Sequence, residues 1–188
     1  HMSLRGADGR IVFDEGDGAT PVFEHFVAGV LDTLAELTLL YAPNVNSYKR
    51  FADGSFAPTA VAWGHDNRTC ALRVVGHGPA LRFENRSGGA DLNPYMALAA
   101  LIAAGLEGIE QGLQLEPAFE GNAYAATDKP RLPSTLRDAR ELFNTSALAH
   151  GAFGDEVVAH YVNAADIELA AFESAVNDWE RIRGFERL

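Results

Sequence analysis

With 188 residues, 47% of them hydrophobic, the chain has the material for one packed domain or for one large piece of a longer enzyme. Its 26 Asp and Glu against 15 Lys and Arg give a net charge of −11, which excludes a broad basic face for displacing counterions from nucleic acid. The longest apolar run, residues 95–106, is too short to cross a bilayer, and the opening residues do not read as a signal peptide. A single cysteine, Cys70, excludes an internal disulfide and suits a reducing cytoplasm; a small buried strand residue is its simplest reading.

Residues 5–20 are rich in Gly and Asp and predict a loop around one short strand at 10–13. A helix is predicted from Pro21 to about Leu40, because Phe23, Phe26, Val27, Val30, Leu34 and Leu37 recur at helical spacing behind a Thr20–Pro21 cap. Residues 41–58 are irregular. Three strands are predicted at 59–63, 69–75 and 80–86, the last two antiparallel across a turn at 76–79. Asp91 or Asn93 caps a helix that starts at Pro94, runs to about Leu113 and is apolar nearly all round, which implies burial on more than one side. Residues 114–133 form a connection long enough to suggest that it covers something. A helix at 134–149 follows, then a longer one from Asp155 with a single stripe from Val158 through Tyr161, Val162, Ala165, Leu169, Phe172 and Val176 to Trp179. The acidic runs at 14–17 and 155–156 read as solvated, the second capping its helix.

Charge is segregated along this order. Residues 46–86 hold Lys49, Arg50, Arg68, Arg73, Arg82 and Arg86 against only Asp53, Asp66 and Glu84, while the remainder is strongly acidic. A period of two places Arg82, Glu84 and Arg86 on one face of a strand, and Arg73 can join them from the neighbouring strand. Arg68 has the opposite parity and reaches the group from the turn at Asp66-Asn67. Guanidinium forks match phosphate and carboxylate oxygens. Two like charges about 4 Å apart repel by about 4 kcal/mol at an effective dielectric near 20, so converging arginines suit phosphoryl transfer to a carboxylate beside a divalent cation. Taken alone, the alternating strand reads more simply as a surface salt-bridge ladder. His25, His150 and His160 fall on helices and read as packed or solvated; His65 and His77 sit in turns near the window, and none has ligand spacing to another His or Cys.

Asn46-Ser47-Tyr48-Lys49-Arg50, Ala57-Pro58, Asp66-Asn67-Arg68-Thr69, Arg82-Phe83-Glu84-Asn85-Arg86 and Asn93-Pro94-Tyr95 resemble, in order and separation, the motif series of the glutamine synthetase family. His1-Met2-Ser3-Leu4 resembles the end of that family's Asn-Gly-Ser-Gly-Met-His-x-His-x-Ser motif. The resemblance implies an α+β fold, with a short antiparallel sheet packed with helices as in the glutamine synthetase/guanido kinase-like catalytic domain. It implies that residues 1–188 are the C-terminal portion of that domain, beginning inside it and lacking the β-grasp N-terminal domain and most metal-binding glutamates. The activity implied is ATP-dependent formation of a γ-glutamyl amide from glutamate and ammonia or an amine, through γ-glutamyl phosphate, in a cytoplasmic, ring-shaped homo-oligomer. Arg50 and Arg86 are then glutamate-binding, Arg68 touches both the reacting carboxylate and the ATP phosphates, Arg73 and Arg82 bind nucleotide, and Glu84 is a ligand of Mg²⁺ or Mn²⁺.

Two positions depart from the assimilatory pattern. Phe56 stands where those enzymes carry a glutamate before Ala-Pro, which implies a bulkier, less polar amine, and Pro79 replaces an ATP-contacting lysine. With Trp63-Gly64 and Trp179-Glu180-Arg181, these features resemble the γ-glutamylpolyamine and γ-glutamylethanolamine synthetase branch. One carboxylate cannot hold the metal ions that such a site uses, so the chain alone is expected to be inactive. The alternative is a non-catalytic ligand-binding or regulatory module that keeps the arginine site. A phosphagen-type kinase would share the phosphate cradle but would need guanidino-recognition features that are not visible.

Overall fold

The computed structural model describes residues 1–16 and 18–186; Asp17, the end of the first acidic run, lies outside them. Helix α1 (Pro21–Asp32) starts as the sequence predicts, with the Thr20 hydroxyl accepting from Phe23 N–H and proline at the first position. It stops earlier than its apolar spacing suggests. Thr33 closes it and donates its hydroxyl to Gly29 O (2.8 Å), and after a run of turns Thr38 does the same to Leu34 O (2.8 Å) at the start of the short α2 (Thr38–Tyr41). Local threonine bonding competes with the helix ladder, yet the turns keep Leu34 and Leu37 fully buried.

The α+β class holds, and the sheet is mixed rather than antiparallel. Strands β2 (Leu72–Val75) and β3 (Arg82–Asn85) form the expected antiparallel pair, with Arg73 opposite Glu84. Strand β1 (Trp63–His65) lies parallel to β2 after a very short connection. That connection closes because Asp66 takes a left-handed φ of 47° and Asn67 Oδ1 accepts from both the N–H and the hydroxyl of Thr69. The expected strand at 59–63 is displaced: its first residues pair with the long connection instead, through Val61 N–H to Pro130 O and Leu132 N–H to Thr59 O. The same connection receives the Trp63 indole at Glu116 O (2.8 Å), so residues 114–133 cover the open edge of β1. The expected strand at 10–13 is reduced to isolated bridges, Arg5 with Ile11 and Asp14 with Ala19.

Helix α3 (Pro94–Gln111) is capped by Asn93, whose side chain accepts from Tyr95 N–H and Met96 N–H. It crosses α1 almost backbone to backbone. A Cβ on Gly29 would lie 2.2 Å from Ala104 O, one on Gly105 2.2 Å from the Phe26 ring, and one on Gly108 2.1 Å from His25 O. Helix α3 also meets α2, whereas Tyr95, Leu98, Ile102 and Leu106 stay exposed, so the expected burial on more than one side is found only in part among the described residues. The predicted 134–149 helix is two, α4 (Leu136–Thr145) and α5 (Ala147–Phe153), because Ser146 leaves the helical region to cap α5. In α6 (Asp155–Ser174) the stripe buries Val158, Val162 and Ala165 and then runs out onto the surface at Phe172, Val176 and Trp179; α7 (Asp178–Glu186) buries none of its residues. Among the described residues no helix is long and apolar enough to cross a membrane.

Phe13, Phe23, Phe26 and Phe83 form the centre of the core, with ring centroids 5.1–6.3 Å apart. Because Phe83 is locked there, its neighbours Arg82 and Glu84 are fixed on the other face of β3.

Gly108→Ala should therefore lower stability by about 1–3 kcal/mol through overpacking, a fall in Tm of about 2–4 °C per kcal/mol measured by thermal melting. A second expectation concerns the α5–α6 junction, where His150 donates through Nε2 to Asn144 O (3.0 Å) and through Nδ1 to Asp155 Oδ1 (2.5 Å). The carbonyl of Asn144 and the carboxylate of Asp155 raise the imidazole above its ordinary value. A raised folded value contributes stability that is fully present below the unfolded pKa of about 6.5 and is lost as pH rises through the folded one. The urea midpoint should drop between pH 5.5 and 8.5 more in the native chain than in His150→Gln.

Candidate active site

Glu84, 7% exposed, is the centre of the charged face. Arg73, directly opposite in register, donates through Nη1 to both carboxylate oxygens (3.0 and 3.1 Å), and Arg86 Nη1 donates to Oε2 at 3.3 Å. Arg73 turns its remaining edge to Asp66, with Nε 2.9 Å from Oδ1 and Nη2 also bonded there. These bonds and the arginine charge hold the Asp66 carboxyl below its usual range and push the Arg73 guanidinium up. Asp66 is thus a site residue that its place in a predicted turn did not reveal.

The N-terminal segment completes this face. Met2 pairs with Phe83 on the free edge of β3 (2.9 and 3.1 Å), which sets His1 Nε2 3.3 Å from Glu84 Oε1 and its Nδ1 3.4 Å from Arg82 Nε. Arg82 therefore reaches the cluster through His1 rather than through Glu84. The resemblance of His1-Met2-Ser3 to a family motif was the signal that could have named this histidine.

Arg50 ends the 3-10 turn Val45–Arg50, away from the strands. Its Nη1 and Nη2 donate to Ser87 O (3.4 Å) and Gly88 O (3.2 Å), in the loop that follows β3. The segment 51–57 links it to Arg86: Ser55 Oγ donates to Arg50 O (2.6 Å), and Arg86 Nη2 donates to Phe56 O (3.0 Å). Phe56 sits at a left-handed φ of 62°, a costly conformation for a bulky residue, and is 63% exposed. Arg86 Nε is buried without a partner. Arg68 stands apart from Glu84, exposed beside Asp66 in the wall of a cavity of about 580 Å³ that it shares with His65, Asn67, Phe119 and Glu120. Pro79 lies in the 3-10 turn Gly78–Ala80 of the hairpin.

The structure thus brings Arg73, Arg86 and Glu84 together, sets Arg82 and Arg68 at the rim, and ties Arg50 in through the loop. The donor set does not complete a metal site. Among the described residues no group of three His, Cys, Asp or Glu side chains could hold an ion, and Glu84 with His1 supplies two donors whose carboxylate oxygens are already taken by arginines.

The chain belongs to the glutamine synthetase family: its residues 1–183 match the glutamine synthetase catalytic domain. Among its relatives, γ-glutamylethanolamide synthetase GlnA4 of Streptomyces coelicolor is 63% identical over 188 residues, all of this chain and 40% of that protein. Type-1 glutamine synthetase 2 of Dictyostelium discoideum is 41% identical over 182 residues, 94% of this chain and 35% of that protein. A solved GmaS/ADP complex superposes with a TM-score of 0.85 at 28% identity, covering 98% of this chain and 44% of that one. The chain spans less than half the length of each of these relatives.

Glu84→Ala should leave two guanidinium groups facing each other in a mostly buried site. A loss of about 2 kcal/mol or more is expected in urea unfolding, with Glu84→Gln losing less because its amide oxygen still accepts.

Proposed function

We propose that this chain is the C-terminal part of the catalytic domain of an ATP-dependent ligase that joins the side-chain carboxylate of glutamate to an amine. The convergence of Arg73 and Arg86 on buried Glu84, in a chain of this family, is the observation that carries the reading. Arg50 and Arg86 hold the carboxylates of glutamate. Arg68 and Arg82, at the rim, neutralise the phosphoryl group as it passes from ATP to the side-chain carboxylate, forming γ-glutamyl phosphate. Arg73 is already engaged by two carboxylates, so as a nucleotide ligand it would exchange Asp66 for a phosphate oxygen. The amine nitrogen then attacks the acyl carbon, phosphate leaves, and the nitrogen loses a proton. ADP in the related GmaS structure supports the use of ATP.

Glu84 is the carboxylate this chain offers toward Mg²⁺ or Mn²⁺, which would supply charge neutralisation at the phosphates. The residues present do not complete that site, and the isolated chain is therefore read as a binding module without turnover. An amine in preference to ammonia is supported by the ethanolamide-forming relative and by Phe56, whose exposed side chain offers an apolar surface on the segment that Arg86 holds through the Phe56 carbonyl.

The full-length protein should release phosphate from ATP with glutamate and ethanolamine or a polyamine faster than with ammonia, as measured by coupled phosphate assay and mass detection of the γ-glutamyl product. Release that needs no amine, or that responds to ammonia alone, would refute the amine reading. Glutamate and ATP binding in calorimetry without turnover in the native protein or in Glu84→Ala would favour a regulatory module.

A further inference from the structure

Asp91 was a candidate helix cap, but Asn93 takes that role, leaving an exposed carboxylate with no part in α3. Its bonds run the other way. Oδ2 accepts from the hydroxyl of Ser47 (2.5 Å), which is 2% exposed, and from Asn44 Nδ2 (3.1 Å). Ser47 Oγ in turn accepts from Asn44 N–H at 3.0 Å, so one carboxylate fastens the start and middle of the turn that ends in Arg50.

The loop between β3 and α3 is shaped for the same guanidinium. Ser87 O and Gly88 O receive both Nη atoms of Arg50, and buried Ser87 is itself pinned by its N–H and hydroxyl to Asn85 Oδ1 (3.0 and 2.6 Å). A side chain at Gly89 would displace the two groups that the brace joins. A Cβ there would lie 2.2 Å from Asp91 Oδ1 and 2.9 Å from Arg50 Nη1. Burial opposes ionisation of Asp91, but the bonds from Ser47 and Asn44 and the Arg50 charge outweigh it, leaving the carboxyl below its usual range.

We infer that Asp91 is a positioning residue: through Ser47 and the Gly88-Gly89 cradle it fixes the Arg50 guanidinium in the orientation that receives a substrate carboxylate. This rests on the ligase reading for Arg50's ligand, but not for the brace itself. A carboxylate on an exposed residue contributes little to folding, whereas a small displacement of a substrate-orienting fork is costly to binding.

The test uses the full-length protein with Asp91→Asn and, as a milder change, Ser47→Ala. In steady-state assays at saturating ATP and amine, Asp91→Asn should raise the KM for glutamate about tenfold while kcat and the KM for ATP change little, at a native-like Tm. Added to Arg50→Lys, which already lacks the fork, Asp91→Asn should do nothing further. Mass-spectrometric mapping of phenylglyoxal labelling gives a readout independent of activity: Arg50 should react several-fold faster in either variant, with exposed Arg68 unchanged. An unchanged glutamate KM, a matching rise in the ATP KM, or a full effect persisting in Arg50→Lys overturns the inference. Absence of any γ-glutamyl product defeats the ligase reading instead, and the labelling of Arg50 then decides for or against the brace.

Discussion

Glu84 can be buried beside an aromatic core only because Arg73 and Arg86 donate to both of its oxygens. An ionised carboxylate stripped of water without partners would cost several kcal/mol, so the strand register that sets Arg73 opposite Glu84 is a condition for the fold as well as for the site. Phe83, packed among Phe13, Phe23 and Phe26, fixes which face of β3 the charges occupy. A slip of one residue would send Glu84 into the phenylalanines.

From that pair the remaining groups take their places. Arg73 bonds Asp66 and thereby holds the tight parallel connection between β1 and β2; Arg86 grips the carbonyl of Phe56 and so shapes the segment leading back to Arg50. The long connection seals β1 through Trp63 and Asn67, leaving Arg68 at a cavity mouth. The positive charge of Arg73 and Arg86 is therefore held on Glu84 by structural bonds already made within the fold.

The face left open is as informative as the one that is closed. Glu84 and His1 make two donors where a divalent cation needs more, and the apolar residues of α3 and α7 have no covering layer among the described residues. Both facts agree with a chain that spans less than half the length of its relatives.

Much of the site was legible in the residue order. Alternation on β3 assigned Arg82, Glu84 and Arg86 to one face, the turn at 76–79 brought Arg73 alongside, and the Thr20 and Asn93 caps located two helices, because each of these depends on neighbours a few residues away. Periodicity could not say that 33–37 would leave the helix, since that depends on threonine side chains bonding backward, nor that β1 would run parallel to β2, since direction depends on Asp66 and Arg73 meeting in space. The roles of Asp66, His1 and Asp91 were likewise set by partners 7, 81, 83 or 44 positions away. Local chemistry and pattern are written along the chain; which carboxylate meets which guanidinium is decided only when the chain closes on itself.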